Sequence, residues 1–449
     1  MGQNRFRAED LMEFAKHILV HPRIGFTEKQ AHAASTILVE ADLRGDSDHG
    51  VAGASGIYDI YLKVNEDAAV PGFKRLCTPG YLQQQGEKAD FSVEDTRYPT
   101  IIHVDARGLL GAYVTLELIP EVISRAKRFG YAKAYIRNST HFGDCGIYTE
   151  MIAEKDLAAK VTSTSPAWTK PFVELQRDEK KNARRYSGVE KRFGTNPIAW
   201  SIPFDKGIVT IDIAVTQRAV SPAIDVARSN AAALGITQPI DGQFFIGKGK
   251  HKTPLRKVHL GLSRIDNEQE LKKAIAAFGY DNSIGLTPVE KGFLKGPDGE
   301  DIYYPLAFDD VFKENFWIAP LGGTYFGYKG FGLNMLIELD NVVGGGNPEL
   351  IRRLDSEGRP KTPERVSHTI EAYAIDGLYC LKEAKERLGH AVRVTRECGN
   401  KLMFLPGEKE QIKRQENLKK GIPMRSEQIG KLKQIAEMLD VPFDLKPLG

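Results

Sequence analysis

Apolar residues recur at helical spacing near the N-terminus, where Leu11, Phe14, Ala15, Ile18 and Leu19 share one face and Pro22 ends the segment. A second helix is predicted from Thr27, which is spaced with Gln30 for a capping box. It continues through Ala31, Ala34, Ile37, Leu38 and Ala41 to Gly45. Close to the C-terminus Ile429, Leu432, Ile435 and Leu439 predict a third helix, with Ser426 as its cap and Pro442 past its end. Between these ends the pattern changes to short β-rich runs over 100–104, 131–136, 198–202 and 209–213, with a helical stretch over 113–129. The alternation predicts an α/β domain whose sheet is covered by helices on at least one face.

Two segments break the pattern. Residues 174–192 carry Arg177, Lys180, Lys181, Arg184, Arg185, Lys191 and Arg192, the signature of a solvated charged loop. Residues 247–310 are rich in Gly, Lys and turn signals, and are expected as a second surface excursion.

Composition narrows the class of protein. The 449 residues are 41% hydrophobic and 27% charged, ordinary for about three domain-sized units. A net charge of +3 gives no broad field for nucleic acid or an anionic membrane, so neither is an expected partner. No run approaches the roughly 20 apolar residues of a membrane helix. Glu9, Asp10 and Glu13 interrupt the place of a secretory core, and Phe6 breaks the myristoylation pattern, so a soluble cytoplasmic protein is expected. Cys77, Cys145, Cys380 and Cys398 form no Cys-x-x-Cys pair and the ten histidines no His-Glu-x-x-His, so neither a disulfide framework nor a metal site is expected.

Five stretches could carry chemistry. In the run from Asp42 to Val51, His49 adjoins Asp48 among glycines, which suits either general acid-base work or a plain polar turn. Asn138-Ser139-Thr140-His141-Phe142-Gly143-Asp144-Cys145-Gly146 joins a strand to a helix, where backbone amides can hold an anion or simply cap. Gly194-Thr195-Asn196-Pro197 and Asp212-Ile213-Ala214 end β-rich runs, and Asp212 could accept ribose hydroxyls or serve as a turn residue. Gly327-Tyr328-Lys329-Gly330-Phe331-Gly332-Leu333 leads toward an apolar helix and reads as a phosphate-site candidate, but its Gly-x-x-Gly-x-Gly order is not the Rossmann fingerprint. The run Gly242 to Lys248 has P-loop spacing, yet Gly249 replaces the hydroxyl that would hold magnesium, which disfavours an NTPase.

Taken in order, and with Pro320-Leu321-Gly322-Gly323, Pro406-Gly407-Glu408 and Gly421-Ile422-Pro423, these motifs resemble the non-Rossmann malate/L-lactate dehydrogenase-like family. Its relatives include ureidoglycolate dehydrogenase, sulfolactate dehydrogenase and piperideine-2-carboxylate reductase. The resemblance implies a helical domain from residues 1–80 and 335–449, a central α/β domain over 81–334 that binds NAD or NADP, and a homodimer with its active site near the interface. It implies hydride transfer between nicotinamide and a carbonyl carbon, with His49 as proton donor and acceptor beside Asp48. The dinucleotide would lie along His141, Phe142, Gly143, Asp144, Cys145, along Asp212, Ile213, Ala214, and along residues 328–333. Thr195 falls near the substrate.

Two positions depart from the family. Asp48 stands where a Ser is usual, and Gly53 where an Arg would clamp the carboxylate of a 2-oxo acid. The expected small-molecule substrate is therefore not a simple 2-hydroxy acid, unless Arg44, Arg137 or Arg192 supplies the cation. Gly53 also reads as free volume for a bulkier molecule. A catalytically altered member acting as a dinucleotide-binding regulatory protein is the alternative, and a structural assembly protein that binds no dinucleotide a third.

Overall fold

The structure, a computed structural model, describes residues 4–53, 56–57, 90–94, 96–171, 177–178, 183–184, 190–236, 245–248, 252–281, 283–297, 299–306, 316–346, 366–399 and 403–448. Most of 174–192 and the start of the P-loop-spaced run lie outside the described residues.

Strand β1 (Asn4–Phe6) leads into α1 (Ala8–Val20) and α2 (Glu28–Arg44). The capping box is formed: Gln30 N donates to Thr27 Oγ1 at 3.3 Å and Thr27 N to Gln30 Oε1 at 3.1 Å. Gly45 ends α2 with φ 84°, a left-handed turn that favours glycine. The chain then gives β2 (Ser92–Glu94), β3 (Ile101–Asp105), α3 (Gly111–Phe129), β4 (Tyr131–Ser139), α4 (Cys145–Ala153) and β5 (Leu157–Ser163). After these come β6 (Ile198–Phe204), β7 (Gly207–Ile213), α5 (Ser221–Ala233), α6 (Leu255–Ser263), α7 (Glu268–Ala276) and α8 (Gly323–Val343). The last part holds β8 (Val366–Ala374), α9 (Leu381–Cys398), α10 (Glu408–Lys420), β9 (Ile422–Met424) and α11 (Ser426–Leu439).

Seven strands form one sheet in the order β2-β3-β4-β8-β5-β6-β7, and only β3 and β4 run parallel. A doubly wound parallel sheet is thereby excluded. Strand β8 corrects the expected domain boundary: it comes from the stretch assigned to the helical unit, yet it is the middle strand, paired with β4 and β5. Helices α1, α2 and α11 do gather both chain ends, which the antiparallel pair β1–β9 ties together. Their apolar faces (Leu11, Ile18, Leu432, Ile435) join the same buried cluster as Val104, Ile136 and Ile370 of the sheet. One core therefore serves both layers.

Two local corrections follow. Arg425 is the N-cap of α11 and donates its N–H to Gln428 Oε1 at 3.0 Å, so Ser426 is the first helical residue and not the cap. Residues 252–306 are not a mere excursion, because Leu255, Leu271, Ile275 and Leu306 pack with Leu234 into a small core of their own. Leu271 and Ile275 are four apart on α7, which gives that helix a buried face.

Candidate active site

The turn after α2 is built around Asp42, which is buried and accepts the Val51 N–H at 2.8 Å. Gly50 lies flat on the Asp42 carboxylate, where a Cβ would collide with it. This fold-back brings the His49 Nδ1 to 2.7 Å from Asp46 Oδ2, while Asp46 Oδ1 accepts the Asp48 N–H at 3.1 Å. The partner of His49 is thus Asp46, three residues back, and not the adjacent Asp48. Asp48 does not line the cavity described below, but its carboxyl interacts electrostatically with Asp46 and His49 as well as with Asp225 and Arg425.

Burial disfavours the His49 imidazolium, but the hydrogen bond and charge of Asp46, with the charges of Asp144 and Asp48, outweigh it and raise the pKa to about 9. The His141 ring lies parallel to that of His49, at 8° and 5.7 Å between centroids. Burial and the positive charge of His49 push His141 down to about 3. His141 is therefore neutral, and since its Nδ1 accepts the Gly143 N–H at 3.2 Å, its proton sits on Nε2.

Both imidazoles open onto a cavity of about 980 Å³ at the ends of β4, β5 and β7, at the upper end of the range for small-molecule sites. Residues 141–145 and 212–214, assigned above to the dinucleotide, and Thr195 and Arg44, assigned to the substrate, all line it. Thr195 is held by Ser165, whose Oγ accepts the Thr195 N–H at 2.9 Å. The next residue, Asn196, adopts φ 34° and donates to Asn334 Oδ1 at 2.6 Å and Glu338 Oε1 at 3.1 Å.

The N-terminus of α4 is not an open anion site. Asp144 Oδ1 and Asp212 Oδ2 both accept the Gly146 N–H, at 2.9 and 2.5 Å. Burial and the neighbouring Asp144 raise the pKa of Asp212 well above the usual range. Cys145 is buried and its thiol is likewise pushed up by burial, so it is no nucleophile.

Residues 328–333 fall elsewhere. Helix α8 starts at Gly323, so the glycine run lies inside a helix instead of before one, and none of its residues lines the cavity. Gly330 packs on the Leu321 backbone, Phe331 meets the Phe193 ring at 5.6 Å, and Lys329 lies 5.4 Å from the Phe326 ring. Nor is the helix buried all round, since Phe326, Leu336, Leu339 and Val343 are exposed.

The rescuing cations are engaged. Arg44 is buried between Glu40 (3.1 Å) and Glu150 (2.9 Å). Arg137 pairs with Glu94 and Asp105, and Arg192 lies 3.8 Å from Glu338. Gly53 leaves no free volume, because a Cβ there would collide with the carbonyl oxygens of Ser47 and Asp48. Sequence reasoning missed Asp46, residues 163–166 and residues 216–220, the last of which bring Arg218 to the cavity. The i,i+3 spacing of Asp46 and His49 was the available signal for the first.

A family model described as malate/L-lactate dehydrogenase matches residues 81–234. The malate/(S)-sulfolactate dehydrogenase of Methanothermus fervidus is 22% identical over 423 residues, covering 93% of this chain and 94% of that protein. Among solved structures, malate dehydrogenase from Entamoeba histolytica superposes with a TM-score of 0.70 at 18% identity, covering 98% of this chain and 99% of that one. The Δ1-piperideine-2-carboxylate reductase from Pseudomonas syringae pvar. tomato gives 0.63 at 19% identity, covering 96% and 99%. Over residues 81–234 the sequence is thus similar to the malate/L-lactate dehydrogenase family, and over nearly its whole length the chain shares the fold of these solved dehydrogenase and reductase structures.

Proposed function

We propose that the protein is an NAD(P)-dependent oxidoreductase that acts at a hydroxyl or carbonyl carbon, with His49 giving its proton to the oxygen in reduction and recovering it in oxidation. One observation carries the reading: His49, fixed by Asp46 and stacked on neutral His141, opens onto a large cavity at the strand ends. Residues 141–145 and 212–214 would hold the dinucleotide, and the cavity volume and lining strand fit an elongated ligand. When bound, the nicotinamide supplies or accepts the hydride. The protein's share is orientation and proton transfer, since an imidazolium at His49 is a ready donor at neutral pH.

The substrate in this reading is not a small 2-hydroxy acid. Asp46, Asp144, Glu150 and Asp212 line the cavity, while Arg44 is already neutralised by Glu40 and Glu150. The other cations of the lining are paired as well, the His49 imidazolium with Asp46 and Arg218 with Glu290, so an incoming carboxylate would find each of them already engaged, whereas hydroxyl or amino groups would find acceptors. The working unit in this reading is a homodimer, for which the exposed apolar side chains of α8 offer a contact surface.

Titration with NADH and NADPH tests the reading. Trp168 lines the cavity, so binding should quench its fluorescence and raise the melting temperature. No response to either cofactor at saturation overturns it, while binding with no turnover on any of a broad panel of alcohols and carbonyls leaves a dinucleotide-binding regulator.

A further inference from the structure

Against the turn that carries His141 lies a buried imidazole that the mechanism above does not use. His368 sits in the central strand β8 and is fully buried. The pairing of β8 with β4 slips at this point, so that Val366 faces Ser139 but His368 faces Ile136. The extra residue on β4 is accommodated by Asn138 in the left-handed region, φ 54°. The slip lets the end of β4 reach the imidazole: His368 Nε2 lies 3.1 Å from the Thr140 carbonyl oxygen and 2.9 Å from Ser139 Oγ. A proton on Nε2 satisfies the carbonyl, and Nδ1 lies 2.8 Å from the Ser163 hydroxyl on β5, which also reaches the Thr164 carbonyl oxygen at 2.8 Å.

The other contact is a stack. The Phe142 ring lies on His368 at 4.0 Å and 6°, and Tyr148 donates its hydroxyl to the Phe142 carbonyl. Thr140 and Phe142 are thus pinned to His368 on either side of His141. Ser163, on the opposite side of the ring, lines the cavity. One imidazole therefore ties the end of β4, the end of β5 and the turn that carries His141.

We propose that His368 is a positioning residue, whose Nε2 contacts set the 140–142 turn and so fix His141 against His49. It acts through the turn and does not touch the reacting atoms. Burial holds its own pKa down at about 3, so it stays neutral wherever the protein is folded and contributes geometry, not charge. The groups that face His49, and whose balance would change if the turn moved, are Asp46, Asp48, Asp144 and His141.

The consequence for activity rests on the oxidoreductase reading, and the test separates the two. His368→Gln can keep a donor near the Nε2 position, whereas His368→Asn keeps a group only near Nδ1. The His49 ring titration is followed by NMR on histidine-labelled protein, with its signal identified by loss in His49→Gln. His368→Asn should move the His49 midpoint by roughly half a pH unit or more, and lower kcat by roughly 10- to 100-fold. His368→Gln should stay near wild type in both. Ser139→Ala, which removes one Nε2 partner and keeps the imidazole, should shift the midpoint in the same direction by less, and it decides the matter should the Asn variant fail to fold. Equal effects of Asn and Gln, or a wild-type His49 midpoint in both His368→Asn and Ser139→Ala, would overturn the proposal. Wild-type protein without turnover on any cofactor would sink the oxidoreductase reading alone, since the titration needs no activity.

Discussion

The His49–Asp46 pair makes a prediction with a definite sign. Relative to its ordinary pKa of about 6.5, the value of about 9 corresponds to about 3 kcal/mol of preference for the imidazolium. Asp46 is about a third exposed, and discounting for solvent screening leaves about 2 kcal/mol. Because the folded-state pKa is raised, this stabilisation is complete below pH 6.5 and disappears as the pH rises through 9. Asp46→Asn keeps the shape and removes the charge. Burial of His49 remains, so its pKa should fall to 6.5 or below. Urea unfolding at pH 6 should show the variant less stable by about 2 kcal/mol, and at pH 9.5 the difference should shrink to a few tenths. In a chemistry-limited assay, wild-type reduction should hold up to pH 8 and decline only near 9, with oxidation rising over the same range. In Asp46→Asn both limbs should move down by two units or more. A stability difference that is the same at both pH values, or an alkaline limb unmoved by the substitution, would refute the reasoning.

Other outcomes can be checked with the same preparations. His49→Gln should lower turnover by roughly two to four orders of magnitude and leave NAD(P)H affinity, read from Trp168 fluorescence, nearly unchanged. Arg44→Met breaks a buried ion pair with Glu150 and should cost about 3–5 kcal/mol of stability by urea denaturation, because the carboxylate is left buried without its cation. Gly53→Ala should destabilise by about 1–3 kcal/mol or more, and Gly53→Arg should gain no activity on malate or lactate, since backbone occupies the space.

The terminal helices were legible because their signals are local. The apolar stripe of α1 and the Thr27–Gln30 box of α2 need only a few neighbouring residues to be meaningful, and both are present. Strand β8 was not legible for the opposite reason. It reads Val-Ser-His-Thr-Ile-Glu-Ala-Tyr-Ala, too polar to announce a central strand. Its polar groups are paid for only by residues some two hundred positions away: Thr369 with Thr162 at 2.7 Å, His368 with Ser163, and Glu371 with Lys133 and Lys160. A window on the sequence sees the desolvation cost and not the partners that offset it.

The site shows the same divide within a single turn. Adjacent residues suggested that Asp48 serves His49, but consecutive side chains point apart, and it is the third residue back that comes within 2.7 Å. Gly53 was read as an empty place where an arginine is missing, yet a glycine is also what a tight backbone crossing demands, and here the Ser47 and Asp48 carbonyls fill the space. The volume argument for a bulky substrate falls with it. The charge argument survives on different residues. Arg44, the cation nearest to His49 in sequence, lines the cavity but is held by Glu40 and Glu150, while Asp144 and Asp212 share one backbone N–H in the same wall. A ligand that brings donors to that wall relieves the crowding of carboxylates, and one that brings another carboxylate adds to it.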